Sequence, residues 1–267
     1  MSDPLYMIEL RPDPAALIRF AKDQGINRHA DEDLGYAAHA WLAAMFGRDV
    51  PKPFRLLQDR RLREPPRLLG FSRLSGDALA ERAERWAGEE AERKREQFGR
   101  NSDEYMKAVA SIRASALAIR VCSLQDGIRA KPMPHQWPAG RRLGFELLAC
   151  PISRVGGNED DVYRRHRREC DASGEVPAER AEVYRGWLAR QFGDAATLDD
   201  YSLDGFRTLR LLRKAGDAGR RDFLAPQASF SGVFRVKDGE AFQHLLARGV
   251  GRHRAFGFGM LLLRPAP

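Results

Sequence analysis

Residues 131–140, Lys-Pro-Met-Pro-His-Gln-Trp-Pro-Ala-Gly, most constrain what this chain can become. Three prolines in ten residues remove backbone donors and fix φ, so neither a helix nor a central strand can run through the segment. It reads as extended chain plus linker and divides the 267 residues into parts of similar size, 1–140 and 141–267. The first part reads as β-α-β-β-α and the second as β-α-β-β-α-β, both matching one split βαβ unit. In the first, Leu5–Leu10 reads as a strand, Pro14–Asp23 as a short helix, and Leu34, Ala37, Ala38, Trp41, Leu42 and Met45 as the apolar stripe of a better one, with Asp31 or Asp33 as its cap. Phe54–Gln58 and Arg67–Ser72 are strands. Ser75 caps a charged helix to about Phe98, and residues 103–125 form another. In the second, Arg142–Cys150 is a strand and 153–175 a polar, basic segment ending in a loop. Ala178–Phe192 is a helix, Phe206–Arg213 and Ser229–Val236 are strands, Asp238 caps a helix to Arg248, and Gly259–Arg264 closes the chain. The order β-α-β-β-α-β predicts an α+β chain of two tandem ferredoxin-like domains, with a helical insertion at about 72–127 in the first.

Charge narrows the partners. Lys and Arg total 45 against 37 Asp and Glu, and only seven are Lys (22, 52, 94, 107, 131, 214, 237), which leaves 38 Arg. Arginine suits bidentate contact with phosphate and stacking on bases, although a biased base composition in the gene would give the same count. Three cysteines make no disulfide framework and fit a reducing cytoplasm. No apolar run approaches the length of a membrane span, and the opening Met1-Ser-Asp-Pro has no secretory pattern.

Two segments carry candidate chemistry. Gly249-Val-Gly251-Arg252-His253-Arg254-Ala-Phe-Gly257-Phe-Gly259 sets two Gly-x-Gly pairs around three basic or imidazole side chains. Glycines let backbone N–H groups approach an anion, and the basic residues favour phosphate. A packed αβ loop with Gly249 as helix cap is the plainer alternative. The loop follows a helix instead of preceding one, which excludes a Rossmann or P-loop site. Tyr36 and His39, at i and i+3, share one side of their helix. Such a histidine can take a proton from a ribose 2′-hydroxyl without a metal, or can be an ordinary half-exposed side chain. Further basic residues, Arg28, Arg141, Arg142, Arg165, Arg168 and the run Arg60-Arg61-Leu62-Arg63, with His29, can contact RNA. Cys150, His166 and Cys170 fit no compact zinc spacing, and Glu159-Asp160-Asp161 reads as an acidic loop.

Taken in order, these segments resemble the CRISPR-associated endoribonuclease CasE family of type I-E systems, within the wider group of repeat-associated RNA-processing proteins. The match lies in residues 232–267, in RLGFELLACPISR (142–154), which is similar to the family's Phe-x-Leu-x-Ala-Asn-Pro strand with Cys150 in place of Asn, and in Tyr36-x-x-His39. The resemblance implies a metal-independent, cofactor-free endoribonuclease. Such an enzyme cuts precursor CRISPR RNA at the base of each repeat hairpin, leaves a 2′,3′-cyclic or 3′-phosphate, and keeps the 3′ hairpin within the Cascade complex. Its partners would be that RNA and other Cascade subunits (backbone and CasD-type), with no membrane and with target DNA met only through the complex. His39 falls on the family's catalytic histidine, Tyr36 on its companion, and Gly249–Gly259 on the loop that meets RNA near the cut. Ala44 and Gly47 stand where some members have Lys and Ser, which keeps open a subunit that binds the hairpin without cutting it. An RNA-binding ferredoxin-like module unrelated to CRISPR would carry an aromatic pattern on its sheet that is absent from this sequence.

Overall fold

The computed structural model describes residues 4–12, 14–26, 34–57, 66–99, 102–120, 129–214 and 220–267, with backbone alone at 111, 113–120, 129, 212–214 and 220–222. The chain divides into two compact units, Met1–Met133 and Pro134–Pro267.

In the first unit β1 (Tyr6–Leu10), α1 (Pro14–Asp23), α2 (Leu34–Phe46), β2 (Phe54–Leu57), β3 (Arg67–Ser72), α3 (Gly76–Phe98), α4 (Asp103–Arg120) and β4 (Arg129–Pro132) follow one another. The sheet order is β2-β3-β1-β4, all antiparallel, which is the ferredoxin-like arrangement. β4 is an edge strand, so Pro132 costs no interior hydrogen bond. α2 buries Ala37, Ala38, Trp41, Leu42, Met45 and Phe46 against Ile8, Leu10, Phe54 and Leu68 of the sheet in one core cluster. The Ser75 hydroxyl accepts from the Ala78 N–H at 3.3 Å and starts α3. Gly76, Leu79 and Ala83 of that 23-residue helix are buried, Trp86 packs partly buried against the same core, and Arg93 and Arg95 pair with Glu90 and Glu92 along its outer side. The expected cap of α2 at Asp31 or Asp33 lies outside the described residues.

In the second unit the order is β5 (Arg142–Ala149), β6 (Ile152–Val155), β7 (Asn158–Asp161), α5 (Val162–Ser173), α6 (Arg180–Phe192), β8 (Ala196–Lys214), β9 (Arg220–Val236), α7 (Gly239–Arg248) and β10 (Leu261–Pro265). The main sheet runs β10-β5-β9-β8, the same topology as the first. Its core is aromatic. Phe145 meets Phe192 edge-on at 5.8 Å, Trp187 stacks on Phe230 at 6.2 Å, and Trp137, from the proline-rich segment, meets Phe242 at 5.0 Å.

Two expectations are corrected here. The segment 153–175 is a β6–β7 hairpin turning at Gly156-Gly157 and then a helix, and the acidic run Glu159-Asp160-Asp161 is strand instead of loop. Of α5's twelve residues only Val162 and Cys170 are buried, so no apolar stripe announces it. β8 and β9 extend well beyond the expected strands. Register shifts at Leu198/Asp200 and Leu203/Gly205 break the alternation that marks a strand in sequence.

Candidate functional site

The histidine candidate lies in the first unit. With the apolar side of α2 buried in the core, Tyr36 and His39 are left half-buried beside it. His39 Nδ1 is shielded from solvent and has no hydrogen-bond partner among the described residues. Burial, and then the positive charge of Lys52, hold the imidazole pKa below its ordinary 6.5. The side chain is therefore predominantly neutral at pH 7 and able to accept a proton. Lys52 is exposed on the segment between α2 and β2, where its backbone N–H donates to the Phe71 carbonyl at 2.9 Å.

The glycine-rich candidate lies in the second unit and is a built structure. Gly249 ends α7, its N–H donating to Leu245 at 2.7 Å. The Val250 N–H donates to Gly259 and the Gly259 N–H to Leu148, both at 2.8 Å, which ties both ends of the loop together and to β5. Val250, Phe258 and Met260 are fully buried. Gly251, at φ +76°, passes so close to Trp187 that a Cβ would sit 2.9 Å from the indole ring. Gly259, at φ +85°, has room for none, since a Cβ would lie 2.5 Å from the Val250 carbonyl oxygen. His253 itself adopts a left-handed conformation, φ +57°, before a 3₁₀ turn at Arg254–Phe256.

That turn aims Arg252 and His253 at Glu159 of β7, 93 positions earlier in the chain. Arg252 donates to Glu159 Oε1 through Nε and Nη2, each at 2.7 Å, and His253 Nε2 lies 3.0 Å from Oε2. The imidazole packs on Phe223 at 4.9 Å and edge-on to Phe256 at 5.8 Å, leaving 12% of its side chain exposed. Two cavities open on this cluster. One, about 940 Å³, runs between α5 and α6 and is lined by Arg154, Arg165, Arg190 and Arg252. The other, about 410 Å³, is bounded by His253, Glu159, Arg164, Thr208 and Phe223. Asp161, on the wall of the second, is nearly fully buried. It accepts from the Tyr184 hydroxyl at 3.0 Å, from Arg180 at 3.2 Å and from the Tyr163 N–H at 2.9 Å, where it caps α5. The Arg180 guanidinium lies between the rings of Tyr163 and Phe206, at 4.0 and 3.9 Å.

The other expected contacts divide. Arg165 shares the larger cavity with Arg252. Arg168 pairs with Asp160. Arg254 donates to the carbonyl of Arg248 and caps the C-terminus of α7. Arg141 lies over Trp137, and Arg142 pairs with Asp199. Both stand at the far end of β5 from the loop, about 20 Å or more from Leu148 along the strand. Arg28, His29 and Arg60–Arg63 lie outside the described residues. His166 accepts from the Ala178 N–H at 3.0 Å and contacts Cys170, while Cys150 is buried with its thiol pKa pushed far up by burial and by Asp161 and Glu159. Among the described residues no three His, Cys, Asp or Glu side chains are grouped to hold a metal ion. Sequence reading missed Glu159, Arg154, Arg190 and Phe223 as parts of the site, because the pairings that join them are tertiary.

Over residues 5–265 the chain matches the family described as CRISPR associated protein. The CRISPR system Cascade subunit CasE of Escherichia coli (strain K12) is 26% identical over 143 residues, covering 52% of this chain and 65% of the relative. The matched segment thus spans just under two thirds of that relative's length. Among solved structures, CRISPR endoribonuclease Cse3 bound to a 19-nucleotide RNA is 20% identical, with 98% of this chain and 100% of that chain covered and a TM-score of 0.56. The CRISPR-associated protein Cas6e from Escherichia coli str. K-12 is 18% identical, with 98% and 100% covered and a TM-score of 0.50. The two structures share the fold, the resemblance to CasE is borne out, and this chain belongs to the CRISPR associated protein family.

Proposed function

We propose that this chain is a metal-independent endoribonuclease that cuts precursor CRISPR RNA at the base of the repeat hairpin and keeps the 3′ hairpin as a subunit of a Cascade-type complex in the cytoplasm. Family membership, a relative named as a Cascade subunit and a fold shared with an RNA-bound endoribonuclease support the reading. The observation that carries it is His39, a half-buried imidazole held neutral, with a ring nitrogen lacking a hydrogen-bond partner among the described residues.

In this reading His39 takes the proton of the 2′-hydroxyl. The resulting oxygen attacks the adjacent phosphorus, a 2′,3′-cyclic phosphate forms as the P–O5′ bond breaks, and the 5′-oxygen leaves with a proton taken from water. Tyr36 orients the ribose-phosphate. Lys52, whose charge acts on His39, supplies positive potential beside a helix that has Ala44 where some family members have Lys, and ends before Gly47, where some have Ser. Arg252 and Arg165 grip phosphates of the A-form stem, whose deep major groove favours backbone and shape readout.

The test is single-turnover cleavage of the cognate repeat hairpin in EDTA. Wild type cuts and His39→Ala loses at least about a hundredfold in rate. A wild type that cuts only with added Mg²⁺, or a His39→Ala variant as fast as wild type, refutes the mechanism. Tight binding without cleavage across neutral and alkaline pH establishes the hairpin-holding subunit, the reading that Ala44 and Gly47 favour.

A further inference from the structure

Each carboxylate of the run Glu159-Asp160-Asp161 has a separate assignment. Asp161 is buried on Tyr184 and Arg180, and Asp160 pairs with Arg168 on α5. Glu159 engages the glycine-rich loop with both oxygens, one for the guanidinium of Arg252 and the other for the imidazole of His253. Two oxygens on one centre, each met by a different nitrogen donor, is also what the non-bridging oxygens of a phosphodiester present.

The surroundings fit an anion that can be exchanged. Arg252 keeps 47% and Glu159 30% of the side chain exposed, so a second anion has access, while His253 is fixed by its two aromatic neighbours. The donors stay in place if the carboxylate swings away, because the loop is held from behind by Val250, Gly259 and Trp187 and not by Glu159. Glu159 and Asp161, two apart on β7, point to the same side of the strand, so the buried Asp161 sets the face from which Glu159 reaches the loop.

We propose that the Glu159 carboxylate is an internal stand-in for an RNA phosphodiester. It keeps Arg252 and His253 arranged around an oxyanion while RNA is absent, and a phosphate of the bound RNA replaces it. The choice of RNA as the incoming anion rests on the function proposed above. A scaffold carboxylate and a stand-in differ in sign. Removing a scaffold weakens RNA binding, whereas removing a competitor strengthens it and raises its dependence on salt, because two donors formerly neutralised inside the protein become available to phosphate.

The experiment measures fluorescence anisotropy of the full chain with two RNAs across a monovalent-salt series in EDTA. One is the repeat hairpin carrying a 2′-deoxy residue at the cut. The other is a short uridine oligomer with no hairpin. Glu159→Gln is expected to bind both RNAs about tenfold more tightly at low salt. The slope of log Kd against log salt should steepen by about 0.7 for each further phosphate that the protein neutralises. Adding Arg252→Gln to Glu159→Gln should abolish the tighter binding. Equal or weaker binding by Glu159→Gln, or an unchanged slope, overturns the proposal. A wild-type readout needs no variant: the Arg252 Nε–H signal in ¹⁵N spectra must move as the uridine oligomer saturates the protein, and an unmoved signal overturns the proposal too. The two RNAs separate the two readings. An all-ribose hairpin that wild type cuts in the single-turnover assay, with no tightening from Glu159→Gln on either RNA, leaves the function standing and removes the stand-in. Tighter uridine binding by Glu159→Gln, with the deoxy hairpin not bound and the all-ribose hairpin not cut by wild type, does the reverse.

Discussion

Replacing Gly259 by alanine separates two costs that usually come together. The first is conformational: at φ +85° a residue bearing a Cβ is strained by about 1–2 kcal/mol. The second is crowding. The new Cβ would lie 2.5 Å from the carbonyl oxygen and 3.2 Å from the nitrogen of Val250, both backbone atoms that no rotamer change can clear. Relief requires the two chain segments to part, which stretches the 2.8 Å bonds from Val250 N–H to Gly259 and from Gly259 N–H to Leu148. Each is worth about 1 kcal/mol net, so Gly259→Ala should cost roughly 3–4 kcal/mol in all. Gly140 supplies the control. It has nearly the same backbone angle, φ +83°, in the same unit, and a Cβ added there would meet nothing within 4 Å, so Gly140→Ala should cost the strain of about 1–2 kcal/mol alone. For a unit of this size the midpoints of thermal unfolding should fall by about 10 °C and about 5 °C respectively. Differential scanning calorimetry of the full chain reads both. Since the same bonds shape the turn that presents Arg252 and His253, Gly259→Ala should also weaken RNA binding, and Gly140→Ala should not. Equal drops in midpoint would show that the loop yields freely at Gly259 and would refute the claim that it is a rigid cradle.

Three other outcomes follow from the same structure. Because burial and Lys52 lower the His39 pKa, the acid limb of kcat/KM should lie below pH 6.5. Lys52→Met, by removing a positive charge, should move the limb upward, and a limb that stays put or moves down contradicts the assignment. Tyr184→Phe removes a donor from the buried Asp161 and should cost about 1–3 kcal/mol in denaturant unfolding, whereas Arg180→Met leaves that carboxylate without its cation and should cost about 3–5 kcal/mol; the reverse order would mean that the ion pair is not the main support. Arg165→Gln with Arg190→Gln, on the walls of the larger cavity, should reduce the salt slope of hairpin binding by about 1–2 while leaving the cleavage rate of saturated complex unchanged, and an unaltered slope would place the RNA elsewhere.

Elements whose hydrophobic period and cap agree are legible in the sequence. α2 shows its buried residues at helical spacing, β5 alternates Leu143, Phe145, Leu147 and Ala149 inward, and Asp238 starts α7 by accepting from the Ala241 N–H at 2.7 Å. α5 is illegible for a physical reason. It buries two residues, and its cap, Asp161, looks like part of a charge run because the partners that make it a buried capping residue, Tyr184 and Arg180, are distant in sequence. The candidate site is split the same way. Tyr36 and His39 are neighbours on one helix and can be paired by counting. Arg142 and Arg252 look alike in the sequence, and only the register of β5 shows that Arg142 stands at the opposite end of the strand from the loop.

His253 marks the sharpest boundary between what local sequence offers and what packing decides. A reading of the loop from glycine positions finds the residues that are free to take positive φ, and it passes over the one that takes it at a cost of about 1–2 kcal/mol. What offsets that cost is supplied by Phe223 of β9 and by Phe256 of the 3₁₀ turn, which hold the ring on two sides. The left-handed conformation brings the imidazole onto the same carboxylate that Arg252 holds, so two nitrogen donors of unlike shape converge on one anion. Local sequence can offer the residues for such a site. Only the packing of β7, β9 and the loop against one another brings Arg252 and His253 to one carboxylate, which the count of arginines could not foretell.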